Sequence, residues 1–103
     1  MTWMVETLSD SVDEELEDMP VEARAKFIHI SKLIEEFGHE QVGMPHVRHL
    51  DGPLWEMRMK SSRAFYVKVP RKRVVVVRAF TKKTQKTPKR EIDLALRRAK
   101  NML

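Results

Sequence analysis

The spacing of apolar positions changes character twice along this chain, and each change marks a switch of element. Residues 3–8 are rich in β-formers and predict a short strand. Ser11 and Glu14 then have capping-box spacing and predict the start of a first helix, with Val12, Leu16 and Met19 on one face. Pro20 suits the first position of a second helix, whose apolar stripe is Ala23, Phe27, Ile30, Ile34 and Phe37. Gly38 is placed to stop it. The two helices predict an antiparallel hairpin lying over a sheet.

Beyond a loop at 38–46 the period falls to two. Val47–Leu50 predicts a short strand, turned at Asp51-Gly52-Pro53. Leu54–Lys60 alternates, with Trp55, Met57 and Met59 against Glu56, Arg58 and Lys60. Ser61-Ser62 is a tight connection to a strand over Arg63–Val69, with Phe65, Val67 and Val69 facing one way. After a turn at Pro70-Arg71-Lys72, the strand Arg73–Phe80 carries Val74 to Val77, apolar on both faces as a central strand requires. Thr87-Pro88 reads as the cap and first position of a closing helix to Met102, packing through Ile92, Ala95, Leu96, Ala99, Met102 and Leu103. The order is β-α-α-β-β-β-α, with an extra short strand at Val47. It predicts one α+β domain over 1–103: a mostly antiparallel twisted sheet, an N-terminal helical hairpin and a C-terminal helix. The helices are expected mainly on one side, leaving the other partly open and basic.

Charge sharpens that expectation. Net charge is +5, but residues 1–41 carry −8 and residues 42–103 carry +13. Segregation on this scale places like charges together at a cost, so the second half calls for a polyanion, an acidic partner or the chain's own acidic helices. Five cations fall between Lys82 and Arg90, where a strand end, a polar loop and a helix N-terminus converge. Unpaired N–H groups at a helix start attract phosphate, and lysines beside them strengthen the attraction. The absence of cysteine excludes thiolate chemistry and disulfides and fits a reducing compartment. No segment approaches the roughly 20 apolar residues of a membrane span, and the start lacks signal-peptide character, so the expected location is the cytoplasm.

Candidate chemistry follows from the cations. Arg58, Lys60, Tyr66, Lys68 and Arg78 form a polar row, with Arg63, Lys82, Lys83 and Lys86 near strand ends. Lys68 and Lys72 are read as solvent-facing. Arg63 shares parity with Phe65 and reaches the open side only as the first residue of its strand or through a bulge. The carboxylates of the basic half, Asp51, Glu56, Glu91 and Asp93, do not cluster in sequence, so metal-dependent hydrolysis is not expected. RNA offers a metal-free route: its 2′-OH attacks the adjacent phosphorus, given a base, an acid and cations for the developing charge. A lysine crowded by cations has a lowered pKa and can move such a proton. Arg58, Lys60, Arg63, Tyr66, Lys82, Lys83 and Lys86 are therefore the catalytic candidates, and Arg48, Arg78, Lys89 and Arg90 the RNA-binding ones. No cofactor is called for.

The remaining aromatic and imidazole groups read mostly as structure. Trp3, Trp55, Phe65 and Phe80 are expected in the core. Tyr66 alone is a candidate for stacking or proton relay. His46 and His49 lack a third ligand and read as loop or substrate-contact residues. His29 is expected to be structural and His39 a surface-loop residue.

Two runs carry a resemblance. His46-Val-Arg-His-Leu-Asp-Gly-Pro-Leu-Trp-Glu-Met-Arg58 and Val74-Val-Val-Val-Arg-Ala-Phe-Thr-Lys-Lys-Thr-Gln-Lys-Thr-Pro-Lys-Arg-Glu-Ile-Asp-Leu-Ala95 resemble HigB-like toxins of the RelE/ParE superfamily, in their phage-derived branch. The second motif is the more specific. The resemblance implies the toxin of a type II toxin–antitoxin pair, with the fold read above. It implies cleavage of messenger RNA, usually in the ribosomal A site, to a 2′,3′-cyclic phosphate and a 5′-hydroxyl. By position it points to Arg58, Arg63, Lys82 and Lys83, and it implies a helix-turn-helix antitoxin as partner. The chain departs from the family in its short Ser61-Ser62 link, where members commonly carry a longer, glycine-containing one. The superfamily also holds gyrase poisons, so inhibition of a protein target and non-catalytic RNA binding remain open alternatives.

Overall fold

A computed structural model describes residues 2–102. Five strands form one sheet in the order β1-β5-β4-β3-β2. They are β1 (Met4–Thr7), β2 (Val47–Asp51), β3 (Leu54–Met59), β4 (Ser62–Val69) and β5 (Arg73–Thr81). β1 runs parallel to β5, and every other pairing is antiparallel. The helices are α1 (Asp10–Glu17), α2 (Val21–Phe37), the short α3 (His39–Val42) and α4 (Lys89–Ala99), the last continued by a 3₁₀ turn, Lys100–Met102.

Both faces of the sheet are covered, which differs from the expected one-sided packing. Val12 of α1, Met19 of the link after it, and Ala23, Ile30 and Ile34 of α2 pack on Met57, Met59, Ala64, Tyr66, Val74 and Val76. Ala95 and Ala99 of α4 pack on the opposite face, against Leu54, Phe65, Val67, Val69, Val75 and Val77. The alternating strands supply two apolar faces, and one helical layer cannot remove both from water. α4 is short and reaches only part of its face, leaving the β2–β3 side open. Leu103 of the expected packing face lies outside the described residues.

Several local expectations move by a residue. Ser9, not Ser11, precedes α1, and it makes no side-chain capping bond. Asp10 and Asp13 in the first turn serve the helix dipole instead. Pro20 and Pro88 both sit just before their helices with extended ψ, rather than inside them. Phe37 is 55 % exposed and falls off the α2 stripe. Gly38 ends α2 at φ 85°, and a Cβ there would lie 2.8 Å from Nε1 of Trp3, so both conformation and space require glycine. The β3–β4 turn is Lys60-Ser61 rather than Ser61-Ser62, because Met59 pairs with Ser62. Lys60 takes φ 60° to make it.

Two irregularities of β5 matter for the site. Tyr66 pairs with Val76 and Phe65 with Arg78, so Val77 is an extra residue in a bulge. The bulge keeps Arg78 on the α4 side; unbroken alternation would drive it among α1 and α2. The other irregularity is that β1 reaches only Val76 of β5. The flank beyond is closed by side chains: Glu15 accepts from Ala79 N–H at 3.1 Å, and Arg98 donates to the Val77 carbonyl at 2.9 Å.

Candidate functional site

On the uncovered part of the α4 face lies a cavity of about 620 Å³, lined by Arg48, Arg58, Ser61, Arg63, Lys82, Lys83, Thr84 and Gln85. Three adjacent strands and the loop after β5 each supply cations to it. Arg58 on β3 pairs directly with Arg63 on β4, an arrangement that repels on its own. The offset is Glu56, wholly buried beneath the arginines. Its Oε2 accepts from Nε of Arg48, its cross-strand partner, and its Oε1 lies 3.3 Å from Nε of Arg63.

Arg63 is only 7 % exposed and is fixed on several sides. Nη1 donates to the carbonyl of Lys60 and, at 2.9 Å, to that of Ser62. Burial, then the neighbouring Arg58 and Arg48, pull its pKa down, while Glu56 opposes them. Lys82 is tethered by its backbone N–H to Ser61 O and by Nζ to Gln85 O at 2.7 Å. Its pKa is also lowered, first by desolvation and then by Arg63, Arg48 and Arg58, with Glu56 pulling the other way. Among the described residues, Arg58, Lys82 and Lys83 have no carboxylate partner, and the buried Nε of Arg58 has no hydrogen-bond acceptor. The concavity thus holds fixed guanidiniums, unneutralised cations and one lysine with a lowered pKa.

The expected catalytic set divides. Arg58, Arg63, Lys82 and Lys83 meet in the cavity, and Arg48 joins them. Tyr66 does not: it is fully buried on the opposite face, its OH 3.4 Å from Nδ1 of His39, and burial alone pushes its pKa far up. Trp55 pairs with Tyr66 while Arg58 pairs with Arg63, so the polar row read as one surface belongs to two. Lys60 leaves the row because its turn swings it to Glu22 of α2, at 2.9 Å. Lys86 is exposed on the loop and does not line the cavity.

Arg78 is no free RNA-binding cation either. It pairs with Glu15 at 2.9 Å and Glu91 at 2.7 Å, which raises its pKa against desolvation. Arg98 pairs with the same Glu15 at 2.9 Å, so two arginines and two glutamates join α1, β5 and α4. Part of the charge segregation is therefore neutralised inside the chain. Lys89 pairs with Asp93, one turn on, at 3.1 Å. Arg90 lines a smaller pocket of about 160 Å³ that shares Lys82, Lys83 and Thr84 with the main cavity.

Two histidines also sit differently from expectation. His39 is 2 % exposed, packed edge-on against Trp3, Trp55 and Tyr66. His29 is exposed, with its ring 6.0 Å from that of His46. Among the described residues no group of three or more His, Asp or Glu is placed to hold a metal ion, and no helix is long and apolar enough to cross a membrane. The residue that sequence reasoning missed is Glu56. The signal was present: alternation over Leu54–Met59 puts it on the face of Arg58.

The family described as "Phage derived protein Gp49-like (DUF891)" matches residues 14–100. The chain belongs to this family. The Gp49-like chain is also similar to solved RelE structures. It aligns with the archaeal RelE of the RelE–RelB complex from Pyrococcus horikoshii OT3 at TM-score 0.60 and 20% identity, covering 79% of this chain and 96% of that one. For the toxin–antitoxin complex RelBE2 from Mycobacterium tuberculosis the values are 0.58 and 14%, with 80% and 100% covered. For a double-arginine mutant of E. coli toxin RelE in the free state they are 0.61 and 14%, with both chains covered in full. At these identities the likeness establishes the RelE fold. No match was found among curated protein sequences.

Proposed function

We propose that this Gp49-like chain is a HigB-like toxin of a type II toxin–antitoxin pair, and that its cavity cuts messenger RNA without a metal. The observation that carries this reading is the convergence of Arg48, Arg58, Arg63, Lys82 and Lys83 on one concavity, with a single buried carboxylate beneath it. A phosphodiester satisfies what that carboxylate cannot. Arg58, Arg63 and Lys83 take the charge that grows on the phosphoryl oxygens as the substrate's 2′-OH attacks. The 2′-oxygen bonds phosphorus as the P–O5′ bond breaks. Lys82, with its lowered pKa, carries one of the two proton transfers, off the 2′-OH or onto the departing 5′-oxygen, and solvent water carries the other. The products are a 2′,3′-cyclic phosphate and a 5′-hydroxyl. Glu56, Glu91 and Asp93 are engaged in ion pairs, which supports chemistry through cations alone.

The proposal extends to ribosome-bound, translating mRNA as substrate and to the cytoplasm as its site of action. Two of the similar structures were solved as toxin–antitoxin complexes, which supports an antitoxin as partner, here of the helix-turn-helix type.

The test is induced expression followed by mapping of RNA 5′-hydroxyl ends. Growth arrest with cuts inside translated codons, unaffected by EDTA in a translation extract, is expected. Intact mRNA alongside DNA double-strand breaks would instead indicate a gyrase-type target.

A further inference from the structure

We infer that Glu56 is a positioning residue of the cavity: its two oxygens, divided between Arg48 of β2 and Arg63 of β4, hold both guanidiniums as a preset pair for one phosphate. The inference rests on the proposed RNA chemistry and names how its site is kept in order. Glu56 stands on the strand between the two arginines. Arg48 is its direct cross-strand neighbour, whereas Arg63 is diagonal to it, two residues before Phe65, the direct partner on β4. Long side chains span that diagonal. The carboxylate accepts a hydrogen bond from Nε of Arg48 and forms an ion pair with Nε of Arg63 at 3.3 Å, where its buried Oε1 makes no hydrogen bond. Nη1 of Arg63 is held by the carbonyls of Lys60 and Ser62, while the half-exposed Arg48 keeps its Nη groups for the cavity.

Glu56 is not placed to be a base. It is fully buried, does not line the cavity, and has each oxygen turned to a guanidinium. Nor is stability a sufficient reason for its presence, since a buried carboxylate costs desolvation that an apolar residue would not. What an apolar residue cannot do is fix two arginines from different strands. The same charge reaches Lys82, which faces Arg63 of β4, Arg58 and Glu56 of β3, and Arg48 of β2, beside Lys83 on its own loop and Arg90 at the start of α4. Glu91 lines the smaller pocket with Lys82 and Arg90 but is engaged by Arg78 at 2.7 Å, so Glu56 is the anion that acts on Lys82.

Two variants separate position from charge. Glu56→Gln removes the charge; Glu56→Asp keeps it but is one methylene too short to span both arginines. Each is expected to lower cleavage of ribosome-bound mRNA about a hundredfold, the scale of an ångström-sized misplacement. Only Glu56→Gln is expected to move the pH–rate profile, to lower pH, because losing the anion lowers the Lys82 pKa further. Arginine Nε–H resonances, read by NMR without RNA, should show Arg48 and Arg63 held in the native chain. In Glu56→Gln that of Arg48 should be released and that of Arg63 should shift, while its Nη1 stays on the carbonyls of Lys60 and Ser62. Unchanged resonances in that variant, or native cleavage with an unshifted profile, would overturn the inference. A native chain that holds both resonances yet cuts no RNA would overturn the proposed function and leave the positioning role standing.

Discussion

The hydroxyl of Tyr66 stands 3.4 Å from Nδ1 of His39, on the helix-covered face of the sheet and across it from the basic cavity. That contact moves the one aromatic candidate for proton relay into the core. Tyr66→Phe is therefore expected to leave RNA cleavage unchanged and to cost about 1–3 kcal/mol, because it leaves the buried Nδ1 of His39 without a partner. Urea unfolding beside a cleavage assay checks this, and loss of cleavage in a stable variant would return Tyr66 to the chemistry.

His39 gives that buried cluster a pH dependence. Desolvation lowers its pKa below 6.5, with Lys68 adding to the shift and Glu40 opposing it. The unfolded chain then binds the proton more readily than the folded one. Stability from this group is full above pH 6.5 and is lost as pH falls through the folded pKa, with a limiting slope of about 1.4 kcal/mol per pH unit. Urea midpoints at pH 7.5, 6.5 and 5.5 should fall at the acid end for the native chain and flatten there for His39→Asn.

Lys83 and Arg63 should fail in different ways. Lys83 is exposed and unpaired among the described residues. Lys83→Ala should shift stability by no more than about 0.5 kcal/mol and cut cleavage by about 10²–10³. Arg63→Ala breaks a buried pair, so a loss of about 3–5 kcal/mol is expected. Arg63→Lys keeps the charge without the fork and should still fall at least about tenfold in activity. Denaturant curves and cleavage rates on the same preparations separate the two effects.

Lys60 offers the opposite outcome. It holds φ 60° in the β3–β4 turn and points to Glu22, away from the cavity. Lys60→Gly removes a left-handed penalty of roughly 1–2 kcal/mol and adds roughly 0.5–1 kcal/mol of glycine entropy. The melting temperature should rise slightly while cleavage stays at the native level. A loss of activity would place the ammonium at the substrate.

The element order was readable because helical and strand periods are cleanly separated in this chain, and Val74–Val77 marked the central strand. Convergence of Arg58, Arg63, Lys82 and Lys83 was also readable, since strand ends and the following loop must meet where a sheet stops. Sidedness was not. On β4 both Phe65 and Tyr66 are buried, so alternation alone does not say which face meets Arg58; only the pairing of Trp55 with Tyr66 decides it. Arg78 shares the α4 face with Arg58 but is not free there, because Glu15 of α1 and Glu91 of α4 pair with it, and strand alternation says nothing of partners on distant helices. Glu56 was passed over as a possible metal ligand, although its shared face with Arg58 was legible.

The flank of β5 beyond β1 is closed by Glu15 and Arg98, and Arg78 is shared between Glu15 and Glu91. The loop bearing Lys82 and Lys83 therefore has its far end fixed only once α4 has docked. Every cavity residue precedes α4 in the chain. A chain emerging from the ribosome thus carries all of the cavity's cations before it can arrange them, and the arranged state arrives only once α4 has followed.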